Sequence, residues 1–476
     1  MAQSLFKYVT GSLLCLSLAA CGCYFGNNCR SSHHGETSDT TPQYSLGGSV
    51  SGLIDGKILK LSNSDETLSI SSNGQFNFTQ TIKQGSTYSV NIKQLPENMQ
   101  CVVNKPSGTA VTDINDVSVR CFTPVAATGI TNNQCFKSND SQLVSCTDAS
   151  VTTLNTEQDG TRSSINAMGF DLVTQGGITY PSSDCVKDKV TGLVWEIKSA
   201  DNGVRDYQKT FTHFDDLTAA EKSDGSTPIQ AEIDAIDNAK TYVRQVNNLK
   251  LCGMTDWRLP TVRELHSIVN YGSKEIAIDT NIFINPPKQN DEYWTSSSYL
   301  DTDGVQQAFN VNFYAGYVNT KYRDEKIYVR LVRGSLLSEL NRFSVAGNEV
   351  TDKQTGLIWQ RCIYGQTWNG TACSGSATQF SFASALQKAA ELNQQGWRLP
   401  SIKELFSLVT YGPGNTVLDA VAFPPTSIAQ GFTTVSSTPS VNSNASAWGA
   451  VFDSMFISEN YWAASGLYVR FVKDPK

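Results

Sequence analysis

Trp257-Arg-Leu-Pro-Thr-Val-Arg-Glu-Leu-His-Ser-Ile-Val-Asn-Tyr-Gly272 recurs in pattern as Trp397-Arg-Leu-Pro-Ser-Ile-Lys-Glu-Leu-Phe-Ser-Leu-Val-Thr-Tyr-Gly412. Two more stretches recur with it. Val186-Lys-Asp-Lys-Val-Thr-Gly-Leu-Val-Trp195 returns as Val350-Thr-Asp-Lys-Gln-Thr-Gly-Leu-Ile-Trp359, and Tyr-Val-Arg at 328–330 returns at 468–470. Trp-Arg-Leu-Pro and Tyr-Val-Arg are each displaced by 140 positions. Agreement across so long a gap marks two copies of one domain, placed here at 182–335 and 341–476.

Within each copy the signals alternate between helix and strand. Thr261 with Glu264, and Ser401 with Glu404, form capping boxes, so a helix is expected directly after each Trp-Arg-Leu-Pro. An earlier helix is expected where Ile233, Ile236, Ala239, Tyr242, Val243 and Val246 keep helical spacing, and less regularly at Ala383, Leu386, Ala390 and Leu392. Beyond the second helix the chain alternates like strands, as at Phe309, Val311 and Phe313. Two helices with a loop-rich sheet make each copy an α+β domain. The two tryptophans Trp195 and Trp257 are 62 positions apart, against 38 for Trp359 and Trp397, so the first copy carries extra polar loop around 201–229.

Ahead of the copies, residues 123–181 are polar and read as a linker. Residues 46–122 show only strand signals. Leu68 and Ile70, then Phe76 and Phe78, flank Asn73-Gly74, a strong hairpin signal. Tyr88, Val90 and Ile92 alternate, as do Val117, Val119 and Cys121. A small all-β sandwich is expected, similar to immunoglobulin-like or transthyretin-like modules, in a spacer role. Residues 21–45 are rich in Ser, Thr, Asn, Gly and His and read as a flexible tether.

Residues 1–20 have one charge, Lys7, and an apolar stretch from Leu13 to Ala20, the length of a signal-peptide core and too short to span a bilayer. The end, Leu18-Ala19-Ala20-Cys21, resembles the lipobox of bacterial lipoproteins. That resemblance implies lipid attachment at Cys21, and Gly22 after it implies sorting to the outer membrane. An ordinary secretory signal cut near Ala20 is the alternative. Cys15 would leave with the signal. Ten of the twelve cysteines then remain, an even number that suggests disulfides in an exported chain. Proximity favours Cys101–Cys121, Cys135–Cys146 and Cys362–Cys373, leaving Cys185–Cys252 and Cys23–Cys29, though sequence alone does not fix connectivity. Zinc is disfavoured: there is no Cys-x-x-Cys pair, and two of the four His are adjacent in the tether.

The repeats resemble the Lcl C-terminal domain family, named for the Legionella collagen-like adhesin. The resemblance rests on Thr-Gly-Leu-Val-Trp195, Trp257-Arg-Leu-Pro-Thr, Tyr293-Trp-Thr-Ser-Ser, Phe309-x-Val-x-Phe313 and Tyr328-Val-Arg-Leu-Val-Arg333, and in the second copy on Thr355-Gly-Leu-Ile-Trp, Trp397-Arg-Leu-Pro-Ser and Tyr468-Val-Arg-Phe-Val. The second copy departs at Val435, near the position of Trp294. Trp-Arg-Leu-Pro-Thr-x-x-Glu also resembles a motif of the formylglycine-generating family, which implies a C-type-lectin-like topology; the reactive cysteines of that family have no counterpart here. The Lcl resemblance implies adhesion or polysaccharide binding. There is no Gly-X-Y tract, so a collagen-driven trimer is not implied.

Charge narrows the partners. The 476 residues carry net −7, which argues against nucleic acid. Residues 182–335 hold 18 Lys+Arg against 22 Asp+Glu, net −4, and residues 341–476 hold 9 against 8, net +1. Neither is the basic surface that sulfated chains prefer. Arg258, Glu264 and Arg330 recur as Arg398, Glu404 and Arg470. They read either as an anionic-sugar clamp or as a buried framework, and their apolar neighbours favour the framework. Trp257 and Trp397 read as core first and sugar platforms second. His266 is matched by Phe406, which favours a structural role, and His213 has no evident partner. Asp301-Thr-Asp-Gly304 lacks the later ligands of a calcium loop, so no cofactor is expected. No hydrolase, metalloprotease or phosphate-loop motif is present. The expected function is a non-catalytic lipid-anchored adhesin that binds polysaccharide or host matrix through the loops 272–293 and 298–308 and their counterparts. The alternative is a structural lipoprotein that binds other envelope proteins.

Overall fold

The computed structural model describes residues 40–475 apart from 139–141, 217, 286–290, 301–302, 338, 411–417, 426–432, 443–445, 453–455 and 461–465. The signal peptide, Cys21, the Cys23–Cys29 pair and most of the tether lie outside the described residues, as does part of the 301–304 turn. No described helix is long and apolar enough to cross a membrane. The fold is mostly β, with six α-helices among the described residues.

The first region builds two four-stranded sheets on one apolar core. One sheet runs Gly74–Asn77, Leu46–Ser51, Ile114–Phe122, Gln100–Asn104, and the other Glu66–Ile70, Leu59–Asn63, Thr87–Gln94, Ser107–Thr109. Leu46, Leu59, Leu61, Val90, Val117 and Val119 meet between them. The alternation at Tyr88–Ile92 and Val117–Cys121 falls on strands, as expected. The Asn73-Gly74 hairpin does not form. Glu66–Ile70 pairs with Leu59–Asn63 in one sheet, while Gly74–Asn77 pairs with Leu46–Ser51 in the other. Asn73 instead binds the backbone of Leu53: Leu53 N–H donates to Oδ1 and Nδ2 donates to Leu53 O, both at 2.8 Å. That contact turns a hairpin signal into a crossing between sheets, with Gly74 at φ +130°.

Each copy contributes a four-stranded sheet, helices and a three-stranded half-sheet. In the first copy the sheet runs Phe170–Leu172, Cys185–Asp188, Val194–Glu196, Val332–Arg333, and in the second Phe343–Ala346, Glu349–Asp352, Ile358–Gln360, Val472–Lys473. The helices, in chain order, are α1 (Ala149–Leu154), α2 (Gln230–Ile233), α3 (Ala239–Leu249), α4 (Val262–Ser267), α5 (Phe382–Leu392) and α6 (Ile402–Ser407). The expected first helix is broken. Helical spacing runs from Ile233 to Val246, but Asn238 interrupts it by donating from Nδ2 to Phe214 O and Ile233 O. Ile236, in the break, is 75% exposed. In α5 the buried face is Phe382, Ala385, Leu386 and Ala389, one position off the expected stripe, and Ala390 is exposed. Both capping boxes form: Thr261 and Ser401 accept from the N–H of Glu264 and Glu404, whose carboxylates return to the cap N–H at 2.8 Å.

The two copies do not stand apart. Glu292–Leu300, Gln306–Asn312 and Val318–Tyr322 continue directly into Phe456–Asn460, Ala447–Val451 and Thr433–Pro439, one six-stranded sheet in mirrored order. The junction is antiparallel, with Val318 opposite Ile457. Phe309, Val311 and Phe313 from the first copy and Trp448, Ala450 and Phe452 from the second line the same core. Tyr271 meets Trp448 across the junction at a ring-centroid distance of 4.7 Å. The sheet's outer edges are closed by the Tyr-Val-Arg segments. Trp294 N–H donates to Tyr328 O and Val435 N–H to Tyr468 O.

The segment 123–181 is more than a linker. It supplies strand Phe170–Leu172 to the first copy, and α1 packs on α5 of the second, where Asn155 Nδ2 donates to Leu386 O at 3.0 Å. The repeated Tyr-Gly ends against it: a Cβ at Gly272 would lie 2.0 Å from Gly129 O. The four disulfides pair Cys101–Cys121, Cys135–Cys146, Cys185–Cys252 and Cys362–Cys373.

A shared core implies shared unfolding. Trp448→Ala is expected to cost about 3–5 kcal/mol and to lower the stability of both copies together. Urea titration followed by near-UV dichroism and by fluorescence should give coincident transitions. Two separable transitions, with the first copy unaffected, would contradict the shared core.

Candidate functional site

The repeated polar residues turn inward. Arg258 forms a two-point ion pair with Glu264, at 2.8 and 2.7 Å, and also donates to Gly334 O at 3.0 Å. Arg398 repeats the pair with Glu404 at the same two distances and adds Asp474 at 2.6 Å. Because Glu264 and Glu404 also cap their helices, each pair locks a helix start to the last strand of its copy. That strand is held to the motif by mutual backbone bonds, Arg258 with Val332 and Arg398 with Val472. Arg330 and Arg470 are buried, donating to Glu196 O and Gln360 O at 2.8 and 2.6 Å. Each lies over a phenylalanine, Phe283 at 4.7 Å and Phe423 at 4.8 Å. Trp257 and Trp397 are buried, and Trp257 Nε1 donates to Leu251 O. The structure therefore brings these sequence-selected residues together as framework.

The midpoint between copies holds a second group of polar contacts. Arg263 donates to Ser407 O at 3.3 Å, and its counterpart Lys403 donates to Ser267 O at 2.6 Å, so each copy clasps the end of the other's helix. Lys403 also donates to Ala127 O at 2.8 Å. His266 lies at the same place, its ring 4.7 Å from that of Phe406 and its Nε2 2.6 Å from Tyr271 Oη. Burial drives the imidazole well below the usual histidine range. His266 and Phe406 are thus packing partners as well as equivalents.

Two buried clusters escaped the sequence reading. His213 has a partner after all: its Nδ1 lies 2.9 Å from Arg323 Nη1, which also approaches Asp215 at 2.7 Å and Glu221 at 3.5 Å. Burial pushes the Glu221 carboxyl up to about 7 and His213 down to about 3. The extra 201–229 loop is thus anchored by charge and is not merely a polar excursion. In the other cluster, Lys198 Nζ donates to Glu196 at 3.3 Å and to Tyr242 Oη at 2.7 Å, and Tyr242 donates to Glu196. Burial pushes Lys198 down to about 8. Aligning the copies flags this site, since Gln360 and Cys362 stand where Glu196 and Lys198 do.

One large cleft, about 810 Å³, opens where four parts of the chain meet. The first region gives Lys57 and Glu97, the linker Thr123–Ala126, the first copy Asp256 and Arg333, the second Gln354 and Lys403. Its size suits a small ligand or a short polymer segment. Its rim charges pair with one another. Lys187 and Lys57 hold the Glu97 carboxyl down at about 2, and Arg333 donates to both oxygens of Asp256 at 2.8 and 3.0 Å. No local pattern announces a cleft assembled from such distant stretches. The expected ligand loops, by contrast, fall partly outside the described residues. Among the described residues no group of three His, Cys, Asp or Glu is arranged to hold a metal ion.

Two outcomes follow. Arg398→Met strands the Glu404 carboxylate, and breaking a buried pair costs about 3–5 kcal/mol; thermal unfolding should show a smaller loss for Arg258→Met, whose pair is more exposed. Lys403 titrates at about 7, pushed down by burial, against about 10.4 for a free lysine. Between those values the unfolded chain holds the extra proton, so stability rises with pH. The melting temperature of the native chain relative to Lys403→Met should climb from pH 7 to 9.5; a flat difference would contradict the buried ammonium.

Comparison with known proteins bears on the repeated unit. The model of the Lcl C-terminal domain matches twice, over residues 184–333 and 348–473. No curated protein and no solved structure matched the chain. The two matches span more than half of the sequence and coincide with the two halves of the fused sheet, so the chain belongs to the Lcl C-terminal domain family, as two tandem copies.

Proposed function

We propose that the chain is a non-catalytic, adhesin-like binding protein of the bacterial envelope, anchored by lipid at Cys21, whose paired domains engage polysaccharide or extracellular matrix. The observation that carries this reading is the double Lcl match laid onto one fused head. The repeated Arg and Glu residues support binding over catalysis, since they are occupied within the framework and are not poised toward a cleft as acid and base. Four disulfides fit an oxidising compartment. The lipobox-like Leu18-Ala19-Ala20-Cys21 fits outer-membrane attachment. A C-type-lectin-like topology for the heads, and an immunoglobulin-like or transthyretin-like character for the 46–122 spacer, belong to the same reading.

The test is a glycan and matrix array probed with the full chain lacking residues 1–20. Selective, saturable binding to a polysaccharide class is expected, and Cys21→Ser should release the protein from the membrane fraction. Absence of glycan or matrix binding, together with stoichiometric recovery of one envelope protein in a cross-linked pull-down, would replace adhesion with an assembly role.

A further inference from the structure

We infer that the second copy carries a carboxylate-binding site built on Arg361 and Trp368, with Arg470 behind them, so that this copy recognises an acidic sugar that the first does not. The inference rests on the polysaccharide-binding reading.

Arg361 directly follows the strand Ile358–Gln360 and is only 8% exposed. Its guanidinium lies flat on the Trp368 ring, 3.5 Å from the centroid. Trp368 is presented on a short hairpin, Thr367–Trp368 against Cys373–Ser374, which Cys362–Cys373 fastens beside Arg361. Arg361 Nη2 donates to Val421 O at 2.9 Å, its Nε has no partner, and no carboxylate of the described residues lies within 4.0 Å. Arg470 adjoins it, donating to the carbonyls of Gln360 and Arg361, again with Nε unpartnered and no carboxylate. Desolvation, with no anion to oppose it, pushes Arg470 down to about 9 and lowers Arg361 as well.

Charges taken out of water are normally paired, because leaving one unmatched is costly. The first copy follows that rule: Glu196 stands where the second has Gln360, and apolar Ile197 stands where the second has Arg361. The second copy therefore has two covered guanidiniums and lacks the acid. A ligand carboxylate supplies it. The planar fork of arginine matches a carboxylate, and an indole face beside it suits the apolar side of a sugar ring. The regional balance agrees, at 9 basic against 8 acidic residues for 341–476 and 18 against 22 for 182–335. One covered fork in a chain of net −7 suits an isolated uronate better than a polysulfated chain.

The experiment is calorimetric titration of the full chain lacking residues 1–20 with tetragalacturonate, its carboxyl-reduced form and a sulfated neutral tetrasaccharide. Tetragalacturonate should bind, and carboxyl reduction should weaken binding at least tenfold. Arg361→Ile, which installs the residue the first copy already accommodates, should do the same with unchanged melting temperature. Gln360→Glu, which supplies the acid internally, should weaken binding while raising the melting temperature. Equal affinity for the carboxyl-reduced form, no tetragalacturonate binding, or unaltered binding by folded Arg361→Ile would overturn the site. Tighter binding of the sulfated sugar through Arg361 would overturn the carboxylate assignment. Neutral glycan binding untouched by Arg361→Ile would remove this site and leave the broader polysaccharide reading standing.

Discussion

The antiparallel junction of Val318–Tyr322 with Phe456–Asn460 is the constraint on which the rest of the molecule depends. Each copy alone has a half-sheet with an unpaired inner edge and an apolar face. Joining the third strands removes both edges at once, and the outer edges are already closed by the Tyr-Val-Arg segments. The junction then fixes everything near it. Arg263 and Lys403 clasp reciprocal helix ends, His266 meets its own equivalent Phe406, and Tyr271 meets Trp448. The 123–181 segment seals the arrangement by strand addition to one copy and helix packing on the other.

Fusion also explains how the copies diverge. The framework is under the same demands in both, so Arg258–Glu264 and Arg398–Glu404 keep near-identical geometry. Away from it the solutions differ. The first copy stabilises its outer region with the Glu196–Lys198–Tyr242 cluster, a charged anchor under the 201–229 loop and the long-range Cys185–Cys252 bridge. The second places Cys362 where Lys198 stands, closes a short hairpin and leaves Arg361 and Arg470 without an acid. Duplicated scaffolding with separate outer chemistry is what a two-headed binding protein needs.

Much of this was legible in the sequence because the decisive signals were local or repeated. Capping boxes at Thr261 and Ser401, alternation at Phe309–Phe313 and short-range cysteine pairs all depend on near neighbours. The 140-residue displacement gave the duplication without any three-dimensional knowledge. The misses share a physical cause, which is tertiary contact overriding local preference. Asn73 pairs with distant Leu53 instead of closing a hairpin, Asn238 breaks a helix to satisfy Phe214, and His213 finds Arg323 110 positions away. The fused sheet and the four-part cleft were invisible for the same reason, since no single stretch encodes them. The difference between Gln360-Arg361 and Glu196-Ile197 was legible, but its meaning required knowing that both positions are buried.

Native-state hydrogen exchange tests the fusion most directly. If the copies share one sheet, the amides of Val318–Tyr322 and Phe456–Asn460 are interior, and their opening free energies should match those of Gln306–Asn312 in the same sheet, near the global unfolding value. Fast exchange of Val318–Tyr322 and Phe456–Asn460, at rates typical of exposed edge strands while Gln306–Asn312 stays protected, would show two independent heads and contradict the single fused body.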